Sequence, residues 1–234
     1  MFQLTPAEIE AIGLSLKVAT ASVVCSLPFG LLVAWLLARK SFIGKGLLSA
    51  LVHIPLVVPP VVVGYLMLIL LGRQGFVGKW LYDSFDITFV FDWKGAVVAA
   101  AVVSFPLMVR AIQLSLETVD PLLEEAAGTL GAKPAQVFWT ITMPIVLPGV
   151  ITGMTLAFAR ALGEFGATIT FASNIPGETR TLPLALYTAT QTPGGDSIAM
   201  RLVVISVLLA GIALLVSEFL ARRAHMRIRR GYPT

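Results

Sequence analysis

Residues 117–131 read Glu117-Thr118-Val119-Asp120-Pro121-Leu122-Leu123-Glu124-Glu125-Ala126-Ala127-Gly128-Thr129-Leu130-Gly131, and the chain then runs through 132–142 to Met143 and Pro144. Asp120 is placed to cap a helix, because its short acceptor side chain satisfies one of the N–H groups that a first turn leaves unpaired. Pro121 suits the first helical position, which needs no N–H, and Gly131 suits the left-handed residue that closes a helix. The stretch therefore predicts a short helix over 121–130. Leu122, Ala126 and Leu130 recur at four-residue spacing beside Leu123 and Ala127, which draws a narrow apolar ridge with small residues at its centre. Such a ridge fits two settings. One is a helix lying on a bilayer or capping its own bundle; the other is a helix that a partner protein approaches closely.

On both sides of this segment the chain is strongly apolar. It has 234 residues, 57% hydrophobic and 13% charged, with a mean hydropathy of +0.88, more apolar surface than one soluble core can hide. A span needs about 20 apolar residues at 1.5 Å each to cross about 30 Å of hydrocarbon. The runs 18–38, 47–71 and 137–159 meet that without an internal charge. The runs 95–109, closed by Arg110, and 202–217, between Arg201 and Glu218, are shorter, and their end charges can reach the headgroups. The sequence predicts an all-α integral membrane protein, a single transmembrane domain over 1–234. Its five spans fall near 12–38, 47–71, 95–116, 144–165 and 198–221, with the loop 117–143 between the third and fourth.

With the N-terminus outside, the cytoplasmic side receives Arg39, Lys40, Lys45, Arg110, Lys133 and the tail residues Arg222, Arg223, Arg227, Arg229 and Arg230. The outer side receives Lys17, Arg73, Lys79, Lys94, Arg160, Arg180 and Arg201, so the bias runs in the positive-inside direction. A sixth span at 163–172 would move the five tail arginines outside. That segment is therefore expected to be re-entrant or interfacial. The aromatic-rich loop 72–94 suits a belt at the membrane surface, and the N-terminal stretch 1–11, with Glu8 and Glu10 but no Lys or Arg, does not read as a cleaved signal.

Several classes drop out. The basic residues behind the net charge of +4 lie at the edges of apolar runs and in the tail, which points to anionic lipid rather than nucleic acid. Cys25 alone allows no internal disulfide or multi-cysteine metal site. No metal site is expected, and two distant histidines supply no intramembrane hydrolase, so no catalytic residue is expected either. His53 reads as a packing residue. Gly44-Lys45-Gly46 and Gly78-Lys79-Trp80 lack the spacing of a phosphate cradle, so ATP must be bound by another chain. An ion-coupled secondary transporter usually shows internal repeats and intramembrane acids, and neither is visible.

The wider pattern around residue 125 is Glu125-Ala126-Ala127, three residues, Gly131, nine residues, then Ile141-x-Met143-Pro144. It resembles the EAA loop of ABC importer permeases, with Met143 where leucine is usual. The stretches LVVPPVVVGYL (56–66), ITFVFDWKGAVVAAAVVSFPLMVR (87–110), ARALGEFGATIT (159–170), SNIPGETRT (173–181) and QTPGG (191–195) resemble the molybdate permeases of that family. Sulfate permeases are similar around Gly163-Glu164-Phe165-Gly166, so a sulfate or thiosulfate permease is the alternative, and tungstate is nearly isosteric with molybdate. The resemblance implies a type I ABC importer permease fold in the cell inner membrane. It implies a coupling helix presenting Leu122, Glu125, Ala126, Ala127, Leu130 and Gly131 to an ATPase groove. It further implies a permease homodimer, two copies of an ABC ATPase that hold ATP and Mg, an extracytoplasmic molybdate-binding protein, and no cofactor on this chain.

A helix starting at Pro144 would carry Arg160 about 24 Å along its axis and Glu164 one turn further. They can form a structural ion pair at the helix end, or a gate on a dimer axis. Gly163 and Gly166 are expected to loosen the backbone, leaving Thr168, Thr170, Ser173 and Asn174 on irregular chain suited to weak contact with a passing tetrahedral dianion. Pro55, Pro59 and Pro60 should bend the second span. In 173–195, turn residues bracket an apolar stretch too brief to span, and Glu178 and Arg180 are read as exposed charges available to a docking protein.

Overall fold

The computed structural model describes residues 4–231; the side chains of 217, 218, 220–222 and 224–231 lie outside that description, so of the tail arginines only Arg223, which is exposed, is placed. The first helix, α1, runs Pro6–Arg39 and begins earlier than the expected 12–38. Thr5 and Glu8 fix its start with a capping box: the Thr5 side chain accepts from the Glu8 N–H, and the Glu8 carboxylate accepts from the Thr5 N–H at 2.6 Å. At 34 residues it is about 51 Å long, well over the hydrocarbon thickness.

The stretch 47–71 is not one helix. It forms α2, Lys45–Val57, and α3, Pro60–Leu71, whose axes turn through 116°. Proline is disfavoured after an α-helical residue, so Val58 and Pro59 are both extended, with ψ of 138° and 132°. Pro60 then opens α3, where its missing N–H is not needed. At 13 and 12 residues, α2 and α3 are about 20 and 18 Å long, and neither crosses the bilayer alone. Pro55 sits inside α2 without ending it. The next helix, α4, is Phe76–Phe85 and exposes Phe76, Trp80 and Phe85, as an interfacial belt requires.

Helix α5, Trp93–Glu117, is the centre of the molecule. Asp92 caps it, and Ala96, Ala99, Ala100, Val103, Met108, Val109 and Ile112 are buried. It continues seven residues past Arg110, which stays exposed on its flank. After α6, Pro121–Thr129, the chain is helical again from Pro134: α7, Pro134–Val137, passes through a π-helical turn at Phe138–Thr142 into α8, Met143–Leu162. The expected short helix of the loop 117–143 is present as α6, and the stretch from Pro134 onward is helical as well. Pro144 has no N–H for the carbonyl one turn back, and the wider turn before it, with Met143 N–H bonded to the Phe138 carbonyl, absorbs the mismatch.

The chain ends with α9, Gly166–Phe171, α10, Leu182–Gln191, and α11, Asp196–Gly231. Among the described residues α1, α5, the 134–162 helix and α11 are long and apolar enough to cross a membrane, and the bent α2–α3 pair is the fifth apolar element. The ends of α1 tie the bundle at both faces. At one face the Ser15 hydroxyl accepts from the Leu182 N–H at 2.6 Å, and Arg201 Nε donates to buried Glu8 at 3.0 Å. At the other, Arg39 reaches Glu124.

Candidate functional site

At the Arg39 face, α6 forms as its sequence dictates. Asp120 Oδ1 accepts from the Leu122 N–H at 2.9 Å, and Gly131 follows the helix with φ +87°, a conformation that costs a residue with Cβ about 1 kcal/mol or more. No residue of α6 is buried. Leu122 is 66% and Leu130 89% exposed, and Glu125, Ala126 and Gly131 are exposed with them. Ala127 is half-buried, at the inner edge of the ridge. The apolar ridge is open along its length, on a helix whose N-terminus is fixed by its cap.

At the opposite face, Arg160 and Glu164 do meet. Arg160 Nη1 lies 2.7 Å from Glu164 Oε2, off the line of its N–H bonds, and Glu164 is 2% exposed. Its other oxygen accepts from the Ala167 N–H at 2.7 Å, so this carboxylate also caps α9. The backbone at 166–171 thus differs from the irregular chain expected at Thr168 and Thr170. Thr168 and Thr170 lie on a helix; Thr168 is buried and the Thr170 hydroxyl is spent on the Gly166 carbonyl at 2.8 Å. Glycines on both partners explain the burial. A Cβ on Gly64 of α3 would stand 2.6 Å from the Ala167 carbonyl oxygen, and one on Gly166 would stand 3.0 Å from Pro60 Cβ and 3.1 Å from the Val61 nitrogen. The two backbones fit into each other at these points.

The helix breaks at 163–165, as the glycines there suggest, and irregular chain resumes after α9 at Ser173, with φ +70°. Asn174 is half-buried and bridges two elements: its amide donates to the Thr188 hydroxyl at 2.9 Å, and its oxygen accepts from Arg180 Nε at 2.9 Å. Arg180 is therefore a half-buried, engaged side chain rather than the exposed charge expected, whereas Glu178 is exposed. His53 Nδ1 lies 2.7 Å from the Ser49 carbonyl of its own helix. Among the described residues no cluster of ligating side chains could hold a metal.

Three residues of consequence carry little signal in the sequence. Glu8 looks like one of two acids in an N-terminal stretch without Lys or Arg, and Glu124 looks like one more acid beside Glu125. Arg110 looks like the end of a span, yet an arginine on the flank of a membrane helix marks a pathway or a headgroup contact.

The fold is that of the type I ABC importer permeases. A crystal structure of a bacterial ABC transporter involved in the import of the acidic polysaccharide alginate superimposes with a TM-score of 0.75 at 18% identity, covering 94% of this chain and 80% of that one. In sequence, the molybdenum transport system permease protein ModB of Escherichia coli K12 is 63% identical over 227 residues, 97% of this chain and 99% of its own length. The sulfate transport system permease protein CysT of the same organism is 39% identical over 184 residues, 77% of this chain and 66% of that protein. The model of the binding-protein-dependent transport system inner membrane components matches residues 26–230, and the chain belongs to that family as a multi-pass inner membrane permease.

Proposed function

We propose that this chain is the permease of a molybdate importer. The observation that carries the reading is the 63% identity to a molybdenum permease over nearly the whole of both chains, set against 39% over a shorter stretch for a sulfate permease. Reconstituted with an ABC ATPase and a molybdate-binding protein, the chain takes up labelled molybdate only with ATP, and excess sulfate does not compete. Sulfate uptake at equal efficiency would make the alternative correct.

The sequence holds no phosphate cradle, which leaves ATP to another chain. Resemblance to the ABC importer permeases supports two copies of a partner ATPase that bind ATP and Mg and dock against Leu122, Glu125, Ala126, Ala127, Leu130 and Gly131, with no cofactor on the permease. Five apolar elements, one broken, are few to enclose a gated path, and a two-fold homodimer with the path on its axis supplies the rest. The gate lies around Arg160, Glu164, Thr168, Thr170, Ser173 and Asn174. The pairing of Arg160 with Glu164 keeps that cation from standing unopposed, where it would trap a dianion.

The exposed ridge of α6 belongs in the cytoplasm with the ATPase, which puts the C-terminus inside and the N-terminus outside. A cysteine at Tyr232, in a Cys25→Ser background, should resist an impermeant maleimide in intact cells and react after permeabilisation. Strong labelling of intact cells would overturn the orientation.

The turn 173–180 then faces the binding protein. Glu178 is the free charge there, and Arg180 holds the turn together through Asn174. Charge reversal of Glu178 should weaken association with the binding protein by about threefold to tenfold, mostly through the on-rate and only at low salt. Titration in nanodiscs reads this directly, and an unchanged affinity at low salt would remove Glu178 from the dock.

A further inference from the structure

Among the described residues, the side-chain hydrogen bonds that join the coupling helix α6 to other helices all end on one carboxylate. Glu124 Oε1 accepts from Arg39 Nη2 at 3.1 Å and from the Thr142 hydroxyl at 2.5 Å. Arg39 is the last residue of α1, and the same Nη2 donates to the Val119 carbonyl at 3.3 Å just before α6 begins. Thr142 is the last residue of the π-helical turn and is itself 2% exposed. The inner end of α1, the coupling helix and the entry to α8 therefore meet at a single oxygen.

Apart from its packing on α7 and the π-helical turn, α6 stands clear of the bundle. Beneath it lies a cleft of 670 Å³ lined by Leu31 and Trp35 of α1, by Pro121 and Glu124, and by Phe138 and Thr142. A packed apolar underside would transmit force by contact; a helix over a cleft cannot. Glu124 and Glu125 are adjacent in sequence and about 100° apart on the helix, so one faces the bundle while the other stays exposed with the ridge. Both donors to Glu124 sit on elements that run the full depth of the bundle: α1 leads to Glu8 and α11, and α8 leads to Arg160, Glu164 and α9.

We propose that Glu124 is the positioning residue of coupling: through Arg39 and Thr142 it turns displacement of α6 by the ATPase into displacement of α1 and α8. The inference rests on the importer reading above. It assigns to Glu124 a task distinct from that of the ridge, which meets the ATPase but does not hold the rest of the permease.

The test uses the full reconstituted importer and reads molybdate moved per ATP hydrolysed. Glu124→Ala and Thr142→Val should each lower that ratio, the first by about fivefold or more and the second, which removes one of the two bonds, by less. Both variants should still co-purify with the ATPase, because the ridge is untouched. Glu124→Ala combined with Thr142→Val should be little worse than Glu124→Ala alone, since both act through one oxygen. The reversed pair Arg39→Glu with Glu124→Arg should recover part of the ratio lost in either single reversal, a rescue that a merely structural defect would not show. A ratio within experimental error of the parent in both Glu124→Ala and Thr142→Val overturns the proposal. So does loss of the ATPase from Thr142→Val, because the network would then shape the docking surface instead. Absence of ATP-driven uptake in the unmodified chain would instead defeat the importer reading.

Discussion

Ala126→Asp should abolish most ATP-driven uptake while leaving the permease in the membrane. Ala126 stands between Leu122 and Leu130 on a ridge that is almost wholly exposed, so within this chain the new carboxylate meets only water. A surface change of that kind costs the fold about 0.5 kcal/mol at most. Covered by a partner, the same carboxylate loses its water without gaining a cation, a penalty of at least ~2 kcal/mol, or about thirtyfold in affinity. Uptake in vesicles and co-purification with the ATPase should fall together, and membrane levels by immunoblot should not. Normal uptake with normal co-purification would remove the ridge from the docking surface. Ala126→Ser, small and uncharged, should behave like the parent and so separates charge and bulk from any change at that position.

The second large effect concerns the fold. Gly64→Leu should leave no folded permease, and Gly64→Ala should fold with lower thermal stability. The first atom added on Gly64 already stands 2.6 Å from the Ala167 carbonyl oxygen and 2.8 Å from its Cα, and backbone cannot swing aside as a side-chain tip can. One added carbon in such a contact costs ~1–3 kcal/mol. A leucine forces α3 and α9 apart, and that separates Val63 and Met67 from Phe171, the largest wholly buried side chain. Size-exclusion profiles of detergent-solubilised protein after heating read both variants. A Gly64→Ala protein that survives heating as well as the parent would mean that α9 shifts freely on α3. Gly13, whose Cβ would meet nothing within 4 Å, is the control position and should accept alanine without loss.

Much of the architecture was written in local pattern. Apolar runs of span length, the Asp120–Pro121 cap and Gly131 each act within one helical turn, and each stands in the structure where its chemistry puts it. Departures arose where distant parts of the chain decide the outcome. The turn of 116° between α2 and α3 comes from two adjacent prolines, whose presence was plain but whose angle depends on what α3 packs against. The helix 166–171 is too short to be stable alone and exists because Glu164 caps it and α3 covers it. Of the candidate site, the exposed ridge was legible because exposure follows from helical period. The engagement of Arg180 by Asn174 and the role of Glu124 were not, since no spacing rule relates Arg39, Glu124 and Thr142.

The pairing of Glu8 with Arg201 also constrains the order in which the molecule is made. The two are 193 residues apart, so at ~5–20 residues per second roughly 10–40 s separate their emergence from the ribosome. Through that interval Glu8 keeps its hydration only if the head of α1 remains at the water boundary, and the surplus length of α1 lets it do so. A nascent chain that stops short of Arg201 carries a carboxylate without that counter-charge, on a helix that has yet to acquire the packing of α11. The arrival of α11 is thus recorded at the head of α1.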